Sequence, residues 1–413
     1  MKFKFKHWRW LWAPLVIILG LLLLALVARQ GGALVEKWLL IKSRPAVSVT
    51  TVLPVSAELL FNHEPGVEIF SERIVTEIGQ AQQSLEIAMY AFSSVKLKEA
   101  VYAAQRRGVK VTIITDFRKR ENHEAFFADA VRDIKRLEAG AETASKTILM
   151  HHKFALIDRG TANQKLLFGA YNWTDLQEKY DPSFLMVSTS SELVASFGRE
   201  FDRLLAGQAG TQKLRDQAYH PWDLELKAAG YTSEVWFSPG REGDGIKTRL
   251  SSLINSAQQE IQIMIWDFTD KELAVDLIRR ARQGVKVTII TDTWNFYNQN
   301  SVFLYLAEAK QRYQLDNFEL IVDKVGGEKT IAAVNAPDLE ADFDPFLHFH
   351  VLIVDGQKVL FGTNNWSRAG SYFNDESMMI SEDPAVAAAF QEAFRYQYQH
   401  NTTPLVEAGV IVD

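Results

Sequence analysis

The stretch Gly108-Val109-Lys110-Val111-Thr112-Ile113-Ile114-Thr115-Asp116 recurs residue for residue at 284–292, an offset of 176. The same offset relates Ala81-Gln82-Gln83 to Ala257-Gln258-Gln259. Nine identities in register are hard to reach by chance, and they mark an internal repeat. Further on, Asn172-Trp173 matches Asn365-Trp366, and Phe197 and Phe201 match Phe390 and Phe394, now at an offset of 193. The second copy has therefore gained residues between these landmarks, mainly across 293–346, and the first copy a few within 159–168.

Working outward, Val109 to Thr115 is a β-branched run and reads as a strand, as does Leu85 to Ala91. Lys96 to Arg107 has helical spacing and stops at Gly108. A second helical stretch is expected in Glu121 to Leu137. Strands are expected at Thr147 to Ile157, Lys165 to Phe168 and Phe184 to Ser188, and a closing helix over Glu192 to Leu205. The order repeats from Glu260 onward. Strands alternating with helices predict the α/β class: two halves related by a pseudo-twofold axis, each a mixed, mostly parallel sheet flanked by helices. The join falls near 206–231. The expected organisation is an N-terminal segment at 1–44, a first half at 45–210 and a second at 211–413.

The 413 residues carry a formal charge of −6, with 47% apolar and 23% charged side chains. That is ordinary globular composition and excludes a mainly disordered or collagen-like chain. The absence of cysteine excludes disulfides, thiolate metal sites and a Cys nucleophile. The acidic balance argues against coating nucleic acid by bulk charge. Leu11 to Ala28 is an 18-residue run without a charge, preceded by Lys2, Lys4, Lys6 and Arg9 and bordered by Trp8, Trp10 and Trp12. It predicts one N-terminal transmembrane helix, with the N-terminus cytoplasmic and the rest of the chain on the exported side. A cleaved signal peptide, with small residues at Gly31 and Ala33, is the competing reading.

The candidate chemistry lies in a pair of histidine motifs. His151-His152-Lys153 is followed by Asp158, then by Gly169-Ala170-Tyr171-Asn172. His348-Phe349-His350 is followed by Asp355, then by Gly362-Thr363-Asn364-Asn365. Each leads into an apolar strand, where residues two apart share a face. His151 and Lys153 are thus expected on one face and His152 on the other; His348 and His350 share a face opposite Phe349. Histidine serves as nucleophile or general acid and base near neutral pH, and Lys and Asn donors hold phosphoryl oxygens. The pattern reads as a phosphate site.

These motifs resemble those of the phospholipase D superfamily, whose signature is HxKxxxxDxxxxxxGSxN once per half, over roughly 67–399 of this chain. The resemblance implies one shared site built from His151, Lys153, Asn172, His348, His350, Asn365 and Glu376, supported by Asp158, Asp355, Gly169, Gly362 and Thr363. It implies that one His becomes a phosphohistidine while the other handles protons, and that no metal or other cofactor takes part. It also implies that each nucleophilic or proton-handling ring is oriented from the opposite half. Glu376 matches the acidic residue that follows the family motif, whereas the first copy has Ser183 there and Asp181 nearby. The assignment is then His151 as nucleophile, oriented by Glu376, and His348 as acid.

The chain departs from the signature in its ten residues between Asp158 and Gly169, and in Ala170 and Thr363 at the Ser position. It also has His350 in place of Lys. A neutral imidazole offers one donor where an ammonium offers a charge and three. The expected function is a membrane-anchored phosphodiesterase that cleaves or exchanges a phospholipid phosphodiester. An exported nuclease and a weakened phosphate- or lipid-binding relative are the alternatives. From another class, His151, His152, His348 and His350 suggest a zinc site.

Overall fold

A computed structural model describes residues 51–53, 57–63, 68–119, 135–143, 146–228, 230–292, 295, 298–323, 347–400 and 402–404. The expected membrane segment lies outside them. Among the described residues no helix is long and apolar enough to cross a membrane.

The first half contains β1 (Thr51–Leu53), β2 (Ala57–Asn62), α1 (Ile69–Gln80), β3 (Ser84–Met89), α2 (Val95–Arg106), β4 (Lys110–Asp116), β5 (Lys135–Ala139), β6 (Ala141–Thr143), β7 (Lys146–Ile148), β8 (Lys153–Ile157), β9 (Lys165–Gly169), α3 (Asp175–Tyr180), β10 (Ser183–Ser188) and α4 (Ser191–Leu205). The second contains β11 (Trp222–Ala228), β12 (Tyr231–Phe237), α5 (Ile246–Ser256), β13 (Glu260–Ile265), α6 (Lys271–Arg282), β14 (Lys286–Thr291), α7 (Phe303–Tyr313), β15 (Phe318–Asp323), β16 (His350–Val354), β17 (Lys358–Gly362), α8 (Arg368–Tyr372), β18 (Ser377–Ser381), α9 (Pro384–His400) and β19 (Thr402–Pro404).

The two sheets have the same internal order. The first runs β1-β2-β10-β9-β8-β3-β4-β5 and the second β11-β12-β18-β17-β16-β13-β14-β15-β19. The nine-residue repeat forms β4 and β14, each beside the strand that precedes it: Ile87 pairs with Ile113, and Ile263 with Ile289, both in parallel. Val111 to Asp116 are all buried, so the strand is covered on both faces of the sheet.

The sheets are not mostly parallel as expected. Only β3-β4-β5 and β13-β14-β15 are parallel; the other pairings within both sheets are antiparallel. The reason is connection length. Helices α2 and α6 carry the chain back across the sheet, whereas β8-β9 and β16-β17 are joined by turns that permit only antiparallel return. The expected helix through Glu121 to Leu137 lies partly outside the described residues, and its end is instead β5. There Lys135 to Ala139 pair with Thr112 to Asp116, and Ala139 is buried.

Helix α4 packs on β8 and β9 of its own sheet and on β11 and β12 of the other; α9 touches strands of both sheets in the same way. The two sheets thus enclose a shared apolar layer. Phe168 and Phe184 meet Phe361 at ring distances of 6.4 and 5.6 Å, and Phe61 and Phe361 meet Phe390 at 5.1 and 4.7 Å. The halves share one core and belong to one compact unit.

Asp158 and Asp355 close the turns after β8 and β16, at φ 49° and 51°. Asp158 accepts backbone N–H groups from Gln82, Gln83 and Ser84 at 2.6–3.0 Å, and Asp355 those from Gln258, Gln259 and Glu260 at 2.7–3.1 Å. This explains the Ala-Gln-Gln repeat: it is the turn that enters β3 and β13, offering its amides to the motif aspartate. Burial works against the Asp355 charge, but these N–H groups outweigh it and hold the carboxyl below the ordinary range. Replacing Asp158 by Ala strands three donors and puts a residue that tolerates the left-handed region less well than Asp at φ 49°. A loss of about 2–4 kcal/mol in denaturant unfolding is expected, with Asp158→Asn milder. An unchanged midpoint for Asp158→Ala would show that the turn does not depend on the carboxylate.

Candidate active site at the junction of the halves

The expected continuous strand from Thr147 to Ile157 is interrupted, and the interruption builds the site. Between β7 and β8 the chain leaves its own sheet and pairs with the other half. His151 N–H donates to Asp375 C=O at 2.9 Å, and Asp375 N–H donates to Leu149 C=O at 2.8 Å. The second half does the reciprocal: His348 N–H donates to Pro182 C=O at 2.9 Å. Each motif histidine is therefore fixed on the main chain beside the residue that directly precedes the orienting position of the opposite half, Asp375 before Glu376 and Pro182 before Ser183.

His151 Nδ1 lies 2.8 Å from Glu376 Oε2. The same carboxylate accepts Thr363 Oγ1–H at 2.7 Å and Asn374 Nδ2–H at 3.2 Å. Lys153 Nζ donates to His151 C=O at 3.0 Å and lies 5.5 Å from the centre of the Tyr90 ring. Tyr90 stands edge-on to His151 at 4.8 Å. In the second half the position of Tyr90 is Trp266, 5.5 Å from His348, and His348 and His350 are 5.6 Å apart. Gly169 and Gly362 turn the chain toward Asn172 and Asn365. A Cβ at either would lie 2.3 or 2.2 Å from a facing carbonyl oxygen, of Phe184 or Ser377.

Among the described residues, His348 Nε2, both ring nitrogens of His350, Asn172 Oδ1 and Asn365 Oδ1 are buried without a hydrogen-bond partner. Buried polar atoms left unpaired cost free energy, and a cluster of them is a site waiting for a polar guest. Burial pushes His151, His348 and His350 well below the ordinary imidazole range, with Lys153 adding to each shift. The rings are neutral at neutral pH. Burial also lowers Lys153 to about 7 and raises Glu376 to about 8, the latter against the pull of Lys153.

Of the expected site residues, the structure joins His151, Lys153, Thr363 and Glu376 by direct contacts, and His348 with His350. Asn172 reaches His348 through Gln177, as described below. Asp158 and Asp355 are not in this cluster; they hold the turns at the far ends of β8 and β16. His152 points away, as strand alternation requires: Nδ1 meets Ser377 Oγ at 2.6 Å and Nε2 meets Glu200 Oε1 at 2.9 Å. That separates it from the other three histidines of the zinc reading. His152, Glu200 and Asp375 do converge closely enough to share a cation, but Lys213 Nζ bonds both carboxylates and supplies that charge. All four are fully buried. Burial alone would raise the Glu200 carboxyl; Lys213 and His152 overcome it and hold it well below the ordinary range.

A cavity of about 750 Å³ lies elsewhere in the second half, lined by Arg241, Lys247, Asp270, Glu272 and Tyr372 among others, and none of the motif residues lines it. Lys247 in its wall is already paired with Asp270 and Glu272.

Gln177, Glu200, Lys213, Asn374 and Asp375 were not legible as site residues. Gln177 lies five positions after Asn172, but its counterpart in the repeat is Gly370, so a search for doubled residues passes over it. Lys213 sits in the stretch read as a joining segment.

The family profile described as "Cardiolipin synthase, PLD-like domain" matches residues 74–205 and 250–398. Mitochondrial cardiolipin hydrolase of Danio rerio is 26% identical over 140 residues, covering 34% of this chain and 58% of that protein. The mouse protein of that name is 29% identical over 140 residues, covering 34% and 60%. This chain thus spans about three fifths of the length of these relatives. Among solved structures, phosphatidylserine synthase of Haemophilus influenzae has a TM-score of 0.63 at 14% identity, covering 88% of this chain and 91% of that one. Polyphosphate kinase of Porphyromonas gingivalis has a TM-score of 0.54 at 13% identity, covering 83% and 50%. Both likenesses are of fold.

The opposed shifts of Glu376 and Lys153 set a pH dependence. In the role expected of His151 as nucleophile, the His151–Glu376 dyad must have lost the proton that it holds below about 8, whereas Lys153 must keep the one that it loses above about 7. A bell-shaped kcat/KM profile with its maximum between these values is expected. Glu376→Gln removes the acid limb, because the amide oxygen still accepts Nδ1–H but no longer titrates. An acid limb unchanged in that variant would assign it to another group.

Proposed function

This chain belongs to the phospholipase D superfamily, and on that premise we propose that it is a phosphodiesterase acting on phospholipid through a phosphohistidine at His151. The observation that carries the reading is the His151 Nδ1 to Glu376 contact of 2.8 Å. A carboxylate that accepts the proton of Nδ1 leaves the lone pair on Nε2, free to attack. In the first step the His151 Nε2–P bond forms and the bond from phosphorus to the leaving oxygen breaks. The electron pair stays on that oxygen, which takes a proton from His348. In the second step water or an alcohol gives its proton to His348 as it attacks phosphorus, and the P–N bond breaks. Lys153, Asn172, Asn365 and His350 hold the phosphoryl oxygens and balance the charge that builds on them.

Three features support phospholipid as substrate. The expected anchor at 11–28 would keep the site beside lipid, on the exported side of the membrane. The matched family is described by a cardiolipin synthase, and the relatives reported above are named for cardiolipin hydrolysis. The fold is also that of a phosphatidylserine synthase.

Purified full-length protein should convert labelled phosphatidylglycerol or cardiolipin in mixed vesicles, and should transfer the phosphatidyl group when glycerol is added. His151→Ala should abolish turnover. Cleavage of single-stranded DNA with lipids untouched would move the substrate to nucleic acid; no turnover of either would favour the weakened binding relative.

His350→Lys is expected to keep or raise activity. An ammonium at this position restores a charge-assisted hydrogen bond of about 1.5–3 kcal/mol, at most roughly 10- to 150-fold in rate. A large loss with the fold intact would give His350 a role of its own in moving protons.

A further inference from the structure

His348 Nδ1 faces two groups of opposite hydrogen-bonding character. Gln177 Nε2 is 2.5 Å away and Asp181 Oδ2 is 3.5 Å away. The orientation of the Gln177 amide is not arbitrary. The Asn172 backbone N–H lies 2.8 Å from Gln177 Oε1, and a main-chain N–H can only donate. The amide oxygen is therefore turned to Asn172, and the NH2 group to His348. An amide NH2 also only donates, so Nδ1 receives this hydrogen bond and carries no proton. In the neutral ring the proton then sits on Nε2, which is buried and has no partner among the described residues. His151 is the reverse: its Nδ1 meets a carboxylate.

The repeat sharpens the contrast. The position of Gln177 in the second copy is Gly370, where a Cβ would lie 2.5 Å from Asn365 C=O, so no side chain fits there. The position of Glu376 in the first copy is Ser183, whose hydroxyl reaches the main-chain oxygen of His348 at 3.3 Å rather than its ring. One half meets the opposite histidine with an acid, the other with an amide.

We propose that Gln177 is a positioning residue that parks His348 in the Nε2–H tautomer in the resting enzyme, and that an arriving phosphoryl anion hands Nδ1 over to Asp181. The proposal rests on the phosphohistidine reading above. A parked His348 has no lone pair toward phosphorus, so attack is left to His151 alone. Lys153 and His151 face His348 and oppose its protonation, and the bound anion offsets them. Once Nδ1 has taken a second proton from solvent, the ring cannot pair Nδ1–H with the Gln177 NH2 and turns it to the Asp181 carboxylate. The imidazolium then gives its Nε2 proton to the leaving oxygen and keeps the one on Nδ1. Its Nε2 lone pair is now ready to accept the proton of water or alcohol.

Nitrogen NMR of the full chain with labelled histidine, with the His348 signals assigned by their loss in His348→Gln, tests this directly. The wild-type protein without ligand should show a bare Nδ1 and a protonated Nε2; with saturating inorganic phosphate both should be protonated. In Gln177→Glu the resting proton should move to Nδ1, and in Gln177→Leu the two tautomers should mix. In Asp181→Asn the phosphate-induced protonation should be lost or shifted down by roughly one pH unit or more. A ligand-free wild-type His348 protonated at Nδ1 overturns the proposal even if the protein turns over lipid. The expected tautomer in a protein that turns over no diester would instead overturn the functional reading and leave the assignment standing.

Discussion

Main-chain hydrogen bonds exchanged between the two halves are the constraint on which the rest depends. Leu149 and His151 bond to Asp375, and His348 bonds to Pro182. Because backbone groups are fixed in place by the chain, these bonds hold each histidine within reach of the next side chains on the partner strand. Behind them Lys213 joins Glu200 of the first half to Asp375 of the second, with His152 bridging Glu200 and Ser377. Removing one member of such a fully buried charged set would leave the others uncompensated, which is far more costly than losing a surface pair. The shared layer of Phe168, Phe184, Phe361 and Phe390 adds the apolar part of the same junction.

Within this nearly symmetric frame the chemistry is unequal. Lys153 faces His350 in the repeat, Ala170 faces Thr363, Gln177 faces Gly370 and Ser183 faces Glu376. Each difference acts in the same direction. Thr363 and Asn374 donate to the Glu376 carboxylate that orients His151, whereas Ala170 has no hydroxyl to offer at its position. A duplicated unit gives two equivalent histidines; in the proposed mechanism these substitutions divide their work, one to attack and one to move protons.

Much of this was legible in the sequence because the repeat exposes itself. The run 108–116 identified a buried interior strand of each half, and strand alternation correctly separated His152 from His151 and Lys153. What was not legible came from the junction. The break in the strand before His151, the direction of most strand pairings and the burial of Lys213 all follow from contacts between residues far apart in the chain. Gln177 was missed for another reason: a doubled motif draws attention to what both copies share, and the division of labour lies in what they do not. The role of Asp158 and Asp355 became clear only when the Gln-Gln turns were seen to point their amides at them.

The central claim is that a single histidine forms the covalent intermediate. Rapid quenching during turnover of a labelled phosphodiester, followed by peptide mass spectrometry under conditions that preserve phosphohistidine, measures it directly. The account predicts the phosphoryl group on His151, with none on His348. A phosphohistidine at His348, or an equal division between the two, would contradict it.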